Sequence, residues 1–109
     1  MTGIELINEE QVRQRQVEGW TNEHDDTHSN GELAKAASVY SHPNPSCNFI
    51  SEVWPFYMKW YKPSGIRFSD DDPQTYDGRI RELQKAGALI ASEIDRINRK
   101  KQTHENTKV

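Results

Sequence analysis

Cysteine is almost missing from this 109-residue chain: Cys47 stands alone, so neither an internal disulfide nor a thiolate metal cluster is available to it. No cationic neighbour lies close in sequence to lower its pKa, and Cys47 reads as an inert thiol rather than a nucleophile. No run approaches the roughly 18 apolar residues that mark a membrane helix, and the N-terminus lacks a charged-then-apolar export pattern. Neither a membrane span nor a signal peptide is expected, and a reducing cytoplasm is the expected location. A cationic excess is lacking too. The formal net charge of −3 argues against a protein that neutralises phosphates along a duplex, so nucleic acid is not an expected partner. The glycines are scattered singly and form no phosphate-cradling loop.

Apolar residues are also scarce, at 33% against roughly 45–50% in an average globular protein when glycine is counted. A domain of this length hides only about two-thirds of the surface its unfolded chain exposes, so the core must be small. Self-association is one remedy, and a homo-oligomer is expected.

What is present points to a mainly α, compact three- to four-helix domain over residues 1–100, followed by a disordered tail over 101–109. From Ile4 to about Glu18 the chain is rich in Glu, Gln and Arg, with Ile4, Leu6, Ile7, Val12 and Val17 at roughly helical intervals. Gly19 suits the end of that helix and Trp20 the fold-back onto its last turn. Ser29 and Glu32 have the spacing of a capping box for a second helix running through Leu33 to Tyr40, whose Ala34, Ala36 and Ala37 invite close helix packing. A long aromatic-rich loop separates the second and last helices. Phe49, Trp54, Phe56, Tyr57, Trp60 and Tyr61 fall within thirteen residues, and a short helical turn or two is expected across Ser51 to Tyr61. The last helix opens with Asp77 as N-cap and carries Ile80, Leu83, Gly87, Ile90, Ile94 and Ile97 on one face. Gly87 in its middle suggests close approach of another backbone or of a ligand.

Chemistry concentrates between Arg13 and His28. His24, Asp25, His28 and Glu32 are the candidate ligands for a divalent metal, since imidazole and carboxylate suit such ions; no other cofactor is expected. The same acids also suit the start of a helix, where its dipole favours negative charge. Arg13, Arg15, Lys62 and Arg79 are candidate phosphate contacts, and Trp20 and Trp60 are candidate stacking surfaces for a base. Thr21, His24, Asp25 and Asp26 are placed in the same candidate site as hydrogen-bonding groups for ribose or base.

Arg13-Gln14-Arg15, Gly19-Trp20-Thr21 and Asp25-Asp26 make the first quarter resemble the start of a ryanodine-receptor-type repeat domain, in which an Arg-Gln-Arg helix runs into a Gly-Trp turn. Tyr76-Asp77 followed by Arg79 to Ile90 is similar to that family's last helix. The chain departs from the pattern at Asn22 and Glu23, where the family has an aromatic and a glycine. Over nearly its full length, the order Arg-Gln-Arg-Gln, Glu-Gly-Trp-Thr, Glu-His-Asp-Asp, Trp-Tyr-Lys-Pro and Lys-Ala-Gly-Ala-Leu-Ile resembles a group of small bacteriophage and prophage proteins. The two resemblances together imply a phage accessory protein, of an anti-defence kind, that sequesters a nucleotide-derived signal in the bacterial cytoplasm. Two alternatives stand beside it. One is a metal-dependent nucleotide pyrophosphohydrolase, loosely matched by Glu9, Glu10, Glu32, Glu93 and Asp95. The other is a protein-binding inhibitor that anchors exposed aromatics on a host enzyme.

Overall fold

Thr2 and Glu5 satisfy each other's backbone at the start of the first helix. The Thr2 hydroxyl accepts from the Glu5 N–H at 3.2 Å, and the Glu5 carboxylate accepts from the Thr2 N–H at 3.0 Å. In the computed structural model, which describes residues 1–106, that helix, α1, spans Gly3–Gln16. It ends as its sequence suggests: Gly19 takes a left-handed φ of 74°, and the Trp20 N–H folds back to the Gln14 carbonyl at 3.2 Å. The threonine that follows caps a one-turn helix, α2 (Asn22–Asp26), through its hydroxyl and the His24 N–H.

Helix α3 spans Glu32–Ser41, but the expected Ser29 capping box does not form. Gly31, left-handed at φ 79°, takes the cap position, and the Glu32 carboxylate accepts from the Asn30 N–H at 2.6 Å instead. The central segment is more ordered than a plain loop. Ser46 caps helix α4 (Cys47–Val53), a 3-10 turn covers Met58–Trp60, and the Asn44 side-chain amide holds both the N–H and the carbonyl of Phe68. A second 3-10 turn, Pro73–Thr75, is capped by Asp72 and leads directly into α5 (Tyr76–Asn106). Helix α5 therefore begins before Asp77 and stays helical well past Arg99. Residues 101–106, expected to lie in a disordered tail, belong to it, whereas 107–109 lie outside the described residues.

The architecture is thus all-helical among the described residues, with five α-helices rather than three or four. None of the helices is long and apolar enough to cross a membrane. Helices α3 and α1 both lie along α5, and the core is built from Leu33, Ala36, Ala37, Tyr40, Ala86 and Leu89. Alanines at the crossing let the backbones approach closely, which compensates for few large side chains. Trp20, Trp54, Phe56 and Tyr61 pack around this cluster, partly buried.

The apolar stripe of α5 does not form this core. Its buried residues are Arg79, Ala86, Ala88, Leu89 and Ser92, while Ile80, Leu83, Ile90, Ile94 and Ile97 are exposed. The radius of gyration, 15.4 Å, exceeds the ~13 Å of a globular 100-residue domain. A 31-residue helix is about 46 Å long at 1.5 Å per residue, and it sets the 56 Å long axis.

Gly87 faces α1. A Cβ there would stand 2.4 Å from Ile7 Cδ1, so any side chain at this position displaces the isoleucine lying over it. Gly87→Ala is expected to destabilise the fold by about 1–3 kcal/mol through overpacking, despite a helix-propensity gain of about 1 kcal/mol. Adding Ile7→Ala should recover part of the loss over Ile7→Ala alone. Urea unfolding of the three variants checks this.

Candidate functional site

Helix α1 brings Glu10 to the centre of the molecule, where its carboxylate is almost wholly buried. The Arg13 guanidinium grips it with two parallel bonds, Nε to Oε1 at 2.7 Å and Nη2 to Oε2 at 2.9 Å. Gln14 donates at 3.0 Å, and Arg81 reaches across from α5 to 2.8 Å. Burial pushes the Glu10 carboxyl up, but hydrogen bonds from Arg13, Arg81 and Gln14 outweigh it, and the net displacement is downward.

Above this cluster opens a pocket of about 400 Å³, within the range of small-ligand sites. Its floor is apolar, from Leu33, Ala36 and Leu89, and its walls are aromatic, from Trp20, Tyr40, Trp54, Phe56 and Trp60. Trp54 is the hub of one wall, edge-on to Tyr40 at 5.6 Å and to Phe56 at 5.8 Å, with Phe56 in turn 6.1 Å from Trp60. Trp20 joins no ring pair among the described residues and stands apart from that wall. Two lysines complete the lining. The Lys85 ammonium donates to the Lys62 carbonyl at 2.8 Å and lies 5.5 Å from the centre of the Tyr40 ring. Burial lowers the Lys85 pKa, and Arg81 adds to the effect. The Lys62 backbone is held at its other end by its N–H donating to the Tyr40 hydroxyl at 3.0 Å.

Asp25 is the least satisfied member of this lining. Its residue is 3% exposed, and its carboxylate accepts no hydrogen bond from any described residue. The nearest cation, the Arg15 guanidinium, is 3.9 Å away. Burial raises the Asp25 pKa against the pull of Arg15, His24, Arg99 and His28. A buried acid with unfilled acceptor sites facing a pocket suits a ligand that brings N–H donors.

Six of the ten residues expected in a binding site converge here: Arg13, Trp20, His24, Asp25, Trp60 and Lys62. The other four are occupied elsewhere. Thr21 caps α2, and Asp26 pairs with Arg99 at 2.8 Å. Arg15 lines a shallow open depression with Asn22, Asp95, Asn98 and Arg99, and donates to Asn22 at 2.8 Å. Arg79, expected to meet phosphate, instead donates to the Tyr40 carbonyl at 2.9 Å and to that of Ser41, clamping the end of α3 to the start of α5. Arg13 lines the pocket with its guanidinium already committed to Glu10 and Glu18.

The metal reading finds no geometry. Among the described residues no three His, Cys, Asp or Glu side chains are grouped to hold an ion, so His24, Asp25, His28 and Glu32 do not form a site. His28 turns its Nδ1 toward Glu32 at 3.4 Å and packs edge-on against both His24 and Phe56 at 5.0 Å.

No protein-family model matches the chain, and no curated protein or solved structure is significantly similar to it. What the pocket can do is therefore read from its own chemistry. Lys85 escaped the sequence reading as a pocket residue, and Glu10 entered it only as a loosely matched hydrolase carboxylate, although Arg81, Lys85 and Leu89 recur every four residues and so share one face of α5. That spacing was the available signal.

The two acids respond to pH in opposite directions. The Glu10 pKa is lowered on folding, so its stabilisation is present above the ordinary carboxyl range and lost as pH falls through the lowered value. The Asp25 pKa is raised, so stability associated with its neutral form is lost as pH rises through the raised value. Glu10→Gln is expected to cost on the order of 2 kcal/mol at neutral pH and to flatten the acid limb of the stability curve. Asp25→Asn is expected to raise the melting temperature at neutral pH and leave it unchanged well below the carboxyl range. Thermal unfolding across pH distinguishes the two.

Proposed function

We propose that this protein captures a small nucleotide-derived molecule in its aromatic pocket and holds it without turnover. The observation that carries this reading is the unfilled Asp25 carboxylate inside an aromatic-walled cavity that also presents two lysines. A base edge carrying adjacent N–H donors satisfies the carboxylate. The base face stacks on Trp20 or Trp60, and phosphate oxygens meet Lys62, as expected, and Lys85, while Arg15 and Arg79 are engaged elsewhere. Arg13 and Arg81, tied to Glu10, contribute positive charge at the pocket's side. The absence of a converging metal-ligand group among the described residues favours holding over hydrolysis. Resemblance to small phage proteins gives the reading its setting, a viral accessory protein that withdraws a host nucleotide signal in the bacterial cytoplasm.

A second reading draws on a separate observation. Tyr57, Met58 and Trp60 are exposed around the 3-10 turn and have the character of anchors for a host protein.

Calorimetry with linear and cyclic nucleotides tests the first. Saturable binding is expected, weakened at least about tenfold by Trp60→Ala, as loss of one base–aromatic stack implies. Asp25→Asn should remove discrimination between bases with and without N–H donors on the recognised edge. Absence of heat with every nucleotide overturns the proposal, and released phosphate or pyrophosphate in the presence of magnesium or manganese turns it into a hydrolase.

A further inference from the structure

Ile80, Leu83, Gly87, Ile90, Ile94 and Ile97 recur in alternating steps of three and four, a period of 3.5 that marks a helix–helix seam rather than the broader face of a globular core. Each of the five large side chains is between 45% and 55% exposed. Apart from Gly87, which meets Ile7, their helix packs within the chain through Arg79, Ala86, Ala88, Leu89 and Ser92 on other faces. The largest apolar side chains of α5 thus form a straight stripe about 25 Å long at 1.5 Å per residue, with nothing from their own chain covering it fully. The gap at Gly87 is filled by Ile7, and Ile4, one turn earlier on α1 and largely exposed, extends the apolar margin. Contiguous apolar surface of this kind marks an interaction site.

We propose that the seam is a homodimer interface in which α5 pairs with α5 of a second copy, antiparallel. The order of residues reads well against its own reverse. Ile80 falls opposite Ile97, Leu83 opposite Ile94, and Gly87, with Ile7 over it, opposite Ile90. Charge selects the same direction. The N-terminal end, residues 70–82, carries five acids against two arginines, and the C-terminal end, residues 95–106, carries four Arg and Lys side chains against Asp95 and Glu105, so the two ends differ in net sign. Antiparallel pairing brings each acidic end onto a basic one; parallel pairing stacks acid on acid and lysine on lysine. At 100° per residue the seam lies on the side of α5 opposite Lys85 and Leu89, so two copies join with both pockets unobstructed. The interface stands on different residues from the ligand reading and is tested separately.

Sedimentation velocity over a micromolar concentration series should give twice the 12.7 kDa mass of one chain, with Ile90→Glu, central in the seam, weakening association at least tenfold while circular dichroism shows the helices retained. Orientation is read in a Cys47→Ser background. On oxidation, Leu83→Cys protein mixed with Ile94→Cys protein should form the mixed disulfide, and neither alone should cross-link efficiently. Self-linked Leu83→Cys dimers overturn the antiparallel arrangement, and a monomeric mass at every concentration overturns the interface itself.

Discussion

One buried carboxylate holds the two halves of this small fold in register. Glu10 belongs to α1, yet one of its guanidinium partners comes from α5, so the acid fixes where those helices meet. Replacing such a cluster with well-packed apolar side chains is often neutral or stabilising, and its principal contribution is to specify one arrangement over others. That matters in a chain short of apolar residues, where hydrophobic packing alone leaves several helix registers nearly equal. The Arg79 clamp on the last carbonyls of α3 does the same for the other helix pair. Together they place α1 and α3 on either side of the same stretch of α5, and the pocket is the space left between them.

The two buried acids make a useful contrast. Glu10 is surrounded by donors and held ionised; Asp25 lies a few ångströms from any cation, accepts no hydrogen bond from the described residues, and is pushed toward its neutral form. A carboxylate that costs stability where it stands is poorly explained by folding. Under the proposed function a ligand's donors complete it, and the desolvation already incurred on folding need not be incurred again on binding. Lys85 shows the same logic in weaker form: burial lowers its pKa, and its one hydrogen bond to the Lys62 carbonyl leaves protons to offer.

What was legible in the sequence was local. The turn at Gly19 and Trp20 could be read because a left-handed residue after a polar helix has few other uses, and the all-helical class followed from propensity and periodicity. What failed was choice of partner. A guanidinium on a helix looks the same whether it will meet phosphate, carboxylate or a helix-end carbonyl, so Arg79 and Arg15 were placed with Arg13 although the fold separates them. Ser29 lost its cap for a similar reason: the left-handed turn at Gly31 reorganises the chain ahead of α3, and no spacing rule anticipates it. Periodicity located the isoleucine stripe of α5 correctly but is silent about whether the facing surface comes from the same chain.

The division of α5 into faces explains how so short a protein can hold both a pocket and an exposed apolar stripe. Its small residues, Ala86 and Ala88, lie in the packed interior with Leu89, which also lines the cavity beside Lys85, while Ile80, Leu83, Ile90, Ile94 and Ile97 are exposed. Had the isoleucines been turned inward, their bulk would have held α3 and α1 farther from α5 and separated the tryptophans of the central segment from Asp25. Close packing through alanine is what brings those groups to one spot, and the displaced apolar surface is its direct geometric consequence. The cavity and the exposed stripe are therefore two outcomes of one allocation of side-chain size around a single helix.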